Sequence, residues 1–152
     1  MGFEIRTIPP TLLLADSRRI KIPQIPEYAG KVTGKLEAKA KELGVKCVGP
    51  CVFLYFGADG NPNTEFELVV GVPVDVEKGT AGPFKFRTTA AYRCLSMDYK
   101  GGMPGIGAAW GQLYAEAQKR GLKLIHEGRE VYHKWVEFES SENLTELQIG
   151  IE

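Results

Sequence analysis

The chain has 152 residues, 19 basic and 19 acidic, with 43% hydrophobic and 25% charged side chains. Such a composition fits an ordinary soluble globular protein that buries one good core but not two independent ones, and it excludes a disordered segment. The cancelled charge offers no basic stripe for phosphates, so nucleic acid is not an expected partner. No apolar run approaches the roughly 20 residues needed to cross a bilayer, so no membrane partner is expected either. No charged-then-apolar leader precedes Phe3, and the cysteines number only 3, an odd count, so a cytoplasmic protein with free thiols is expected.

In chain order, residues 11–15 (Thr-Leu-Leu-Leu-Ala) form a short apolar run between Pro10 and the Arg18-Arg19 pair and read as a buried strand. From about residue 27 to residue 43, Ala29, Val32, Leu36, Ala40 and Leu43 recur at helical spacing, and Gly44 supplies the stop. Residues 47–56 are rich in β-branched and aromatic side chains and read as a strand. The turn Asp59-Gly60-Asn61-Pro62 returns the chain into residues 65–74, which alternate as a hairpin partner. The second half follows the same order, with a strand at residues 91–97 and a helix at about 105–120 ended by Gly121. A hairpin of residues 128–135 and 145–151 then closes around the polar Ser140-Ser141-Glu142-Asn143 turn.

The order recurs because the residues do. A shift of 77 lays Gly30, Gly34, Leu36, Ala38, Ala40, Gly44 and Lys46 on Gly107, Gly111, Leu113, Ala115, Ala117, Gly121 and Lys123, seven identities in a 17-residue window. Phe3-Glu4-Ile5-Arg6-Thr7 reappears as Phe84-Lys85-Phe86-Arg87-Thr88 at a shift of 81. Glu67-Leu68-Val69-Val70-Gly71 reappears as Glu146-Leu147-Gln148-Ile149-Gly150 at a shift of 79. The expected fold class is α+β, with tandem duplicated strand-helix-strand-strand units forming a pseudo-twofold antiparallel sheet with a central ligand groove. Copy one spans about residues 3–74, the linker about 75–83 and copy two about 84–152. One helix per unit covers only one face of its sheet, so the two halves are expected to need each other as a single domain over residues 1–152.

Alternation along the hairpin strands sets Leu68, Val70 and Val72, and Leu147, Ile149 and Ile151, under the helices. The opposite parity carries Glu67, Val69, Gly71, Glu146, Gln148 and Gly150. The preceding strands are expected to add Phe53 and Tyr55, and Glu130 and Tyr132, to that same helix-free face, with Tyr55 and Tyr132 matching at the shift of 77. Tyrosines, glutamates and glycines suit a pocket better than an outer surface. As symmetry mates near one axis, Glu67 and Glu146 are expected to raise each other's proton affinity. His133 falls on the parity opposite to Glu130, which suits core or edge rather than a base.

Other features point away from chemistry. Cys47 and Cys51 flank Val48-Gly49-Pro50, but Leu124 and Gly128 hold those places in copy two, and neither His126 nor His133 completes a standard zinc spacing. No metal and no cofactor is expected. Cys94 has no histidine or acid at a suggestive distance, which argues against a catalytic thiol. The glycine-rich run of residues 101–107 lacks the lysine-serine ending of a phosphate loop and reads as a flexible lip, with Met103 and Ile106 within reach of a ligand.

The chain resembles the GyrI-like family, the small-molecule-binding domain of multidrug-sensing transcription activators that also occurs free-standing. The resemblance covers nearly the whole chain. It rests on the strand from Arg87-Thr88 to Tyr99-Lys100-Gly101-Gly102, on Ala109-Trp110-Gly111-Gln112-Leu113-Tyr114 and on Arg129-Glu130-Val131-Tyr132. The closing Thr145-Glu146-Leu147-Gln148-Ile149-Gly150-Ile151 completes it. It implies two strand-helix-strand-strand units around a central groove, with the glutamate of a Glu-x-Tyr strand inside an aromatic pocket that pairs with flat, apolar cations. Carried over by position, that glutamate is Glu130, with Tyr132 beside it. Tyr55, Tyr92 and Trp110 are the further candidate walls, and Phe53, Glu67 and Glu146 complete the candidate lining. Thr33 holds the place of Trp110 in copy one and breaks the symmetry there.

Burial of an ionised carboxylate is costly, so Glu130 is expected to carry a raised pKa or a partner until a cation arrives. Each aromatic face then contributes about 0.5–2 kcal/mol to holding that cation. Two departures from the family pattern stand out. No DNA-binding region precedes Phe3, so the chain is not expected to be a transcription activator itself. Gly150 stands where family members often carry proline, a change expected to cost little.

Two functions from different classes follow. The first is a binding protein, a sensor or sequestering agent for amphipathic, cationic or flat aromatic small molecules. The second, brought by the family, is a hydrolase that detoxifies cyclopropane-bearing alkylating compounds, with Glu130 activating water and Glu146 or Glu67 assisting. Binding is the favoured reading. Contact with a topoisomerase is suggested by the family name alone, and haem binding, known for a related fold, would have only the two histidines as axial ligands. The ligand's identity, and the choice between monomer and homodimer, are left open by the sequence.

Overall fold

In the computed structural model, which describes residues 2–152, eight strands form one antiparallel sheet and two helices pack on one of its faces. The elements are β1 (Glu4–Ile8), β2 (Leu12–Ile20), α1 (Ile25–Leu43), β3 (Val52–Phe56) and β4 (Phe66–Pro73), then β5 (Lys85–Thr88), β6 (Tyr92–Lys100), α2 (Ile106–Lys119), β7 (Leu124–Lys134) and β8 (Leu144–Ile151). The strand order is β1-β6-β8-β7-β3-β4-β2-β5. It reads alike from either end. The second unit (β6, β8, β7) meets the first (β3, β4, β2) at a seam between β7 and β3, where Val52 lies opposite Val131 and Phe56 opposite Glu127.

The outer edges are exchanged between the units. β1 of the first half pairs with β6 of the second, and β5 of the second half pairs with β2 of the first. These are the repeated Phe-x-x-Arg-Thr segments, whose recurrence was visible in the sequence but whose short, half-polar runs carried no strand signal. β2 also runs past its apolar core through Arg18 and Arg19 to Ile20, because β4 continues to hydrogen-bond it and Arg19 pairs with Glu65 at 3.1 Å. β3 begins only at Val52, five residues later than the sequence suggests, since Pro50 has no N–H for a ladder; Cys47 makes a lone bridge to Val74.

Local chemistry sets the helix ends. Pro26 opens α1, where its missing N–H costs nothing, and Gly44 at φ 75° closes it by donating to the carbonyls of Ala40 and Lys41. α1 buries Tyr28, Val32, Leu36 and Ala40 against Leu14, Leu68, Val70 and Val72. α2 buries Ala109, Leu113 and Ala117 against Leu95, Leu147 and Ile149. Each large apolar side chain fully buried this way contributes about 1.5–3 kcal/mol. The other face carries its own apolar cluster of Leu13, Ala15, Val52, Leu54 and Val69.

The hairpin parities of Leu68, Val70, Val72, Leu147 and Ile149 are as expected, but the expected face of the neighbouring strands is wrong. Phe53 lies opposite Val70 and Tyr55 opposite Leu68; Glu130 lies opposite Leu147 and Tyr132 opposite Thr145. Directly opposed residues share a face, so Phe53, Tyr55, Glu130 and Tyr132 point to the helix side. Parity counted within one strand does not cross a turn, because the loop length sets the register.

Candidate functional site

The seam strands run between the stretch of sheet that α1 covers and the stretch that α2 covers. On their helix side they present Phe53 and Tyr55 from β3, and Gly128, Glu130 and Tyr132 from β7. Glu130 is 4% exposed. Its Oε1 accepts hydrogen bonds from the hydroxyls of Tyr55 at 2.7 Å and Tyr132 at 2.5 Å, and its Oε2 accepts from the indole N–H of Trp110 at 2.7 Å. Among the described residues Glu130 makes no ion pair. Burial pushes its carboxyl group above the ordinary value, and the hydrogen bonds from Tyr132, Trp110 and Tyr55 pull it back only in part. Burial and the facing carboxylate push both phenols well above their usual range, so they remain donors.

Trp110 reaches Glu130 from the first turns of α2 across bare backbone. A methyl group on Gly128 would lie 3.3 Å from Trp110 Cη2, so the missing side chain lets the indole approach β7 closely. The matching residue of α1, Thr33, turns its hydroxyl back onto the Ala29 carbonyl at 2.9 Å and leaves the cluster one-sided. Phe53 packs on Tyr132 with ring centroids 4.7 Å apart. Trp135, half exposed, meets Tyr132 edge-on at 5.8 Å, and Tyr114 lies 6.2 Å from Trp110. Thr145 Oγ1, opposite Tyr132, is among the described residues the one buried side-chain polar atom without a hydrogen-bond partner. Gly128, Trp135 and Thr145 were not singled out from the sequence. A glycine two residues before Glu130 on the same face was the one available signal.

Three of the sequence candidates lie elsewhere. Tyr92 is on the helix-free face, where its hydroxyl donates to the carbonyls of Glu127 at 2.9 Å and Gln148 at 3.3 Å, and the guanidinium of Arg129 lies 3.8 Å from its ring centroid. Glu67, on β4, accepts the Ser17 hydroxyl at 2.6 Å. Glu146, on β8, is separated from it by the two strands β7 and β3. The two acids therefore do not meet, and Glu146 moves in the direction opposite to the one expected. Burial pushes its carboxyl group up, but hydrogen bonds from Gln148, His133, Ser96 and Arg6 outweigh that and hold it down at about 2. Ser96 Oγ and Gln148 Nε2 both donate at 2.8 Å, His133 Nε2 lies 2.9 Å away, and Arg6 forms the ion pair. A cavity of about 500 Å³ opens on this side, and Arg6, Ser96, Asp98, His133 and Glu146 are among the residues that line it.

The glycine-rich run before α2 is pinned rather than free. The Gly101 N–H donates to Asn143, the Met103 N–H donates to Phe138, and Ile106 packs into the α2 core. Gly150 also has a local reason. A Cβ there would lie 2.5 Å from Ile125 Cγ1 and 2.7 Å from the Glu127 carbonyl, where β7 bulges between Leu124 and Gly128.

Comparison with known families matches the GyrI-like small molecule binding domain over residues 1–152. The chain belongs to the GyrI-like family. It is a small-molecule-binding domain. Among solved structures, EcmrR in a complex with DNA superposes with a TM-score of 0.83 at 18% identity, covering 99% of this chain and 57% of that one. This chain thus spans little more than half the length of EcmrR. SAV2435 bound to tetraphenylphosphonium gives a TM-score of 0.70 at 10% identity over 100% of this chain and 94% of that one. A hydrolase from Listeria innocua gives 0.67 at 13% identity over 99% and 91%. At these identities the likeness is one of fold. No curated protein sequence is significantly similar to the chain. Among the described residues, no helix is long and apolar enough to cross a membrane.

Proposed function

We propose that the chain binds flat or lipophilic organic cations on the helix face, with Glu130 as the countercharge and Trp110, Tyr55, Tyr132 and Phe53 as the walls. One observation carries this reading. A carboxylate 4% exposed is held by three neutral donors and, among the described residues, by no cation, so its charge is buried without compensation there. An arriving cation supplies that compensation, and each aromatic face it meets adds about 0.5–2 kcal/mol. Both carboxylate oxygens are already hydrogen-bonded, so entry requires an aromatic side chain to give way. Trp135, half exposed against Tyr132, marks the approach. The SAV2435 structure holds a lipophilic cation within the same fold, which supports the ligand class.

Titration of tetraphenylphosphonium into wild type and Glu130→Gln, followed by tryptophan fluorescence, tests the reading. Wild type is expected to bind at micromolar levels and the variant to lose at least about tenfold, or about 1.4 kcal/mol. Equal affinity in the two proteins, or no binding by either, rejects Glu130 as the anchor. Hydrolysis is the second reading, favoured by the raised carboxyl of Glu130, which suits a general base. It lacks a second acid at the cluster, because Glu146 lies on the opposite face of the sheet. Turnover of a cyclopropane-bearing alkylator by wild type, absent in Glu130→Gln, would establish it.

A further inference from the structure

A second cavity, of about 450 Å³, lies between the outer end of β2 and the first half of α1, with Pro83 and Phe84 beside it. β4 and β3 separate β2 from the seam strand that carries Glu130. Its floor is apolar, formed by the buried Ile20, Tyr28 and Val32. Its lining carries four basic residues, Arg18, Arg19, Lys31 and Lys35, against the two acids Asp16 and Glu27. Lys31 pairs with Glu27 at 3.2 Å, and Arg19 is turned to Glu65. Asp16 is occupied by the Tyr28 hydroxyl at 2.5 Å. Arg18 and Lys35 have no carboxylate within ion-pair distance among the described residues. The Arg18 guanidinium lies over the Tyr28 ring, 4.6 Å from its centroid, and among the described residues its N–H groups make no side-chain hydrogen bond.

The second unit shows that the fold does not require this set. Asp16 and Arg18 lie opposite Val70 and Leu68; at the equivalent ladder places, opposite Ile149 and Leu147, stand Leu95 and Met97. On the helix, Tyr28, Lys31 and Lys35 answer at the shift of 77 to Gly105, Ala108 and Gln112. The same strand-and-helix corner is thus built once with ordinary apolar and neutral residues, and once with an apolar floor under a cationic rim.

We propose that this corner is a binding site for an amphipathic anion, a small molecule with an apolar body and a single carboxylate or sulfonate head. The head is held at the Arg18 and Lys35 rim, and the body covers Ile20, Val32 and Phe84. Its ligand is opposite in charge to that of the Glu130 cluster, so the two sites are separable by probe.

The test uses 1-anilinonaphthalene-8-sulfonate fluorescence with the full chain. Wild type is expected to bind the dye, and the double variant Arg18→Gln/Lys35→Gln to bind it about tenfold more weakly, about 1.4 kcal/mol, with its tetraphenylphosphonium affinity unchanged. Both side chains are on the surface, so the fold is expected to survive, which circular dichroism checks. In wild type alone, decanoate displaces the dye and decanol does not. The proposal is overturned if the dye binds the variant as tightly as wild type, if wild type does not bind it, or if decanol competes as well as decanoate. A failure here leaves the tetraphenylphosphonium result at Glu130 standing, and the reverse holds as well.

Discussion

Glu130 and Glu146 are buried alike, at 4% and 5% exposed, yet their carboxyl groups move in opposite directions. They stand on neighbouring strands and face opposite sides of one sheet. On the helix side the partners of Glu130 are two phenols and an indole, neutral donors that soften burial without cancelling it. On the open side Glu146 accepts from Gln148, His133, Ser96 and the guanidinium of Arg6, which outweigh burial and hold it down at about 2. Burial raises both carboxyl groups, and the hydrogen bonds each accepts decide how far that is offset: those from Gln148, His133, Ser96 and Arg6 outweigh it at Glu146, while the three at Glu130 offset it only in part. Glu146 is thereby a structural anion with its compensation in place. Glu130 makes no ion pair among the described residues.

The sharpest way to break this contrast is mutation at each carboxylate. Glu146→Ala is expected to cost about 3 kcal/mol at neutral pH in urea unfolding, because it leaves the groups that converge on it without their acceptor. Glu130→Gln is expected to cost less than about 1 kcal/mol, since it removes an uncompensated buried charge while keeping the shape. Equal losses in the two variants would mean that the different sets of partners do not matter here.

Acid sharpens it next. The folded Glu146 carboxyl lies below its unfolded value of about 4.3, so its contribution is fully present above that pH. It is lost as pH falls toward about 2, and on the order of 3 kcal/mol should disappear over that window. For Glu130 the sign is reversed. Its raised folded pKa favours the protonated form in the native state, so its contribution grows as pH falls through that value and is a cost above it. Urea midpoints measured against pH should therefore fall less steeply below about pH 4 in Glu146→Ala than in wild type. Glu130→Gln should lack the gain on mild acidification. Parallel profiles for all three proteins would reject the assignment.

The smallest effect concerns the floor beneath Trp110. Gly128→Ala places a methyl 3.3 Å from Trp110 Cη2, close enough to lift the indole by a few tenths of an ångström. A loss of about 1 kcal/mol is expected, with a shift in tryptophan emission and severalfold weaker tetraphenylphosphonium binding. Unchanged emission and affinity would show that the ring does not depend on the bare strand.

Much of this was legible in the sequence. The repeated glycines and leucines of the two helices, their glycine stops and the alternation of Leu68, Val70, Val72, Leu147 and Ile149 announce the element order and the buried faces of the hairpins. The residues named beside Glu130, namely Tyr55, Tyr132, Trp110 and Phe53, do meet around it. Tyr92, Glu67 and Glu146 do not: the two glutamates were joined to Glu130 by carrying parity from one strand to the next, and Tyr92 was named only as a place where the two copies differ. β1 and β5 were legible only as a repeat, since edge strands with one half-buried face give little hydrophobic signal.

The amino-acid sequence by itself thus determined the local elements and the chemistry available to the chain, because helix periodicity, strand alternation and glycine stops act over a few neighbouring residues. The tertiary structure alone decided which face each carboxylate occupies and which partners it meets. Cross-strand register depends on loop lengths and on hydrogen bonds between distant segments, and one residue of slip turns a strand over. That register puts Glu130 among aromatic rings and Glu146 beside Arg6, His133, Ser96 and Gln148.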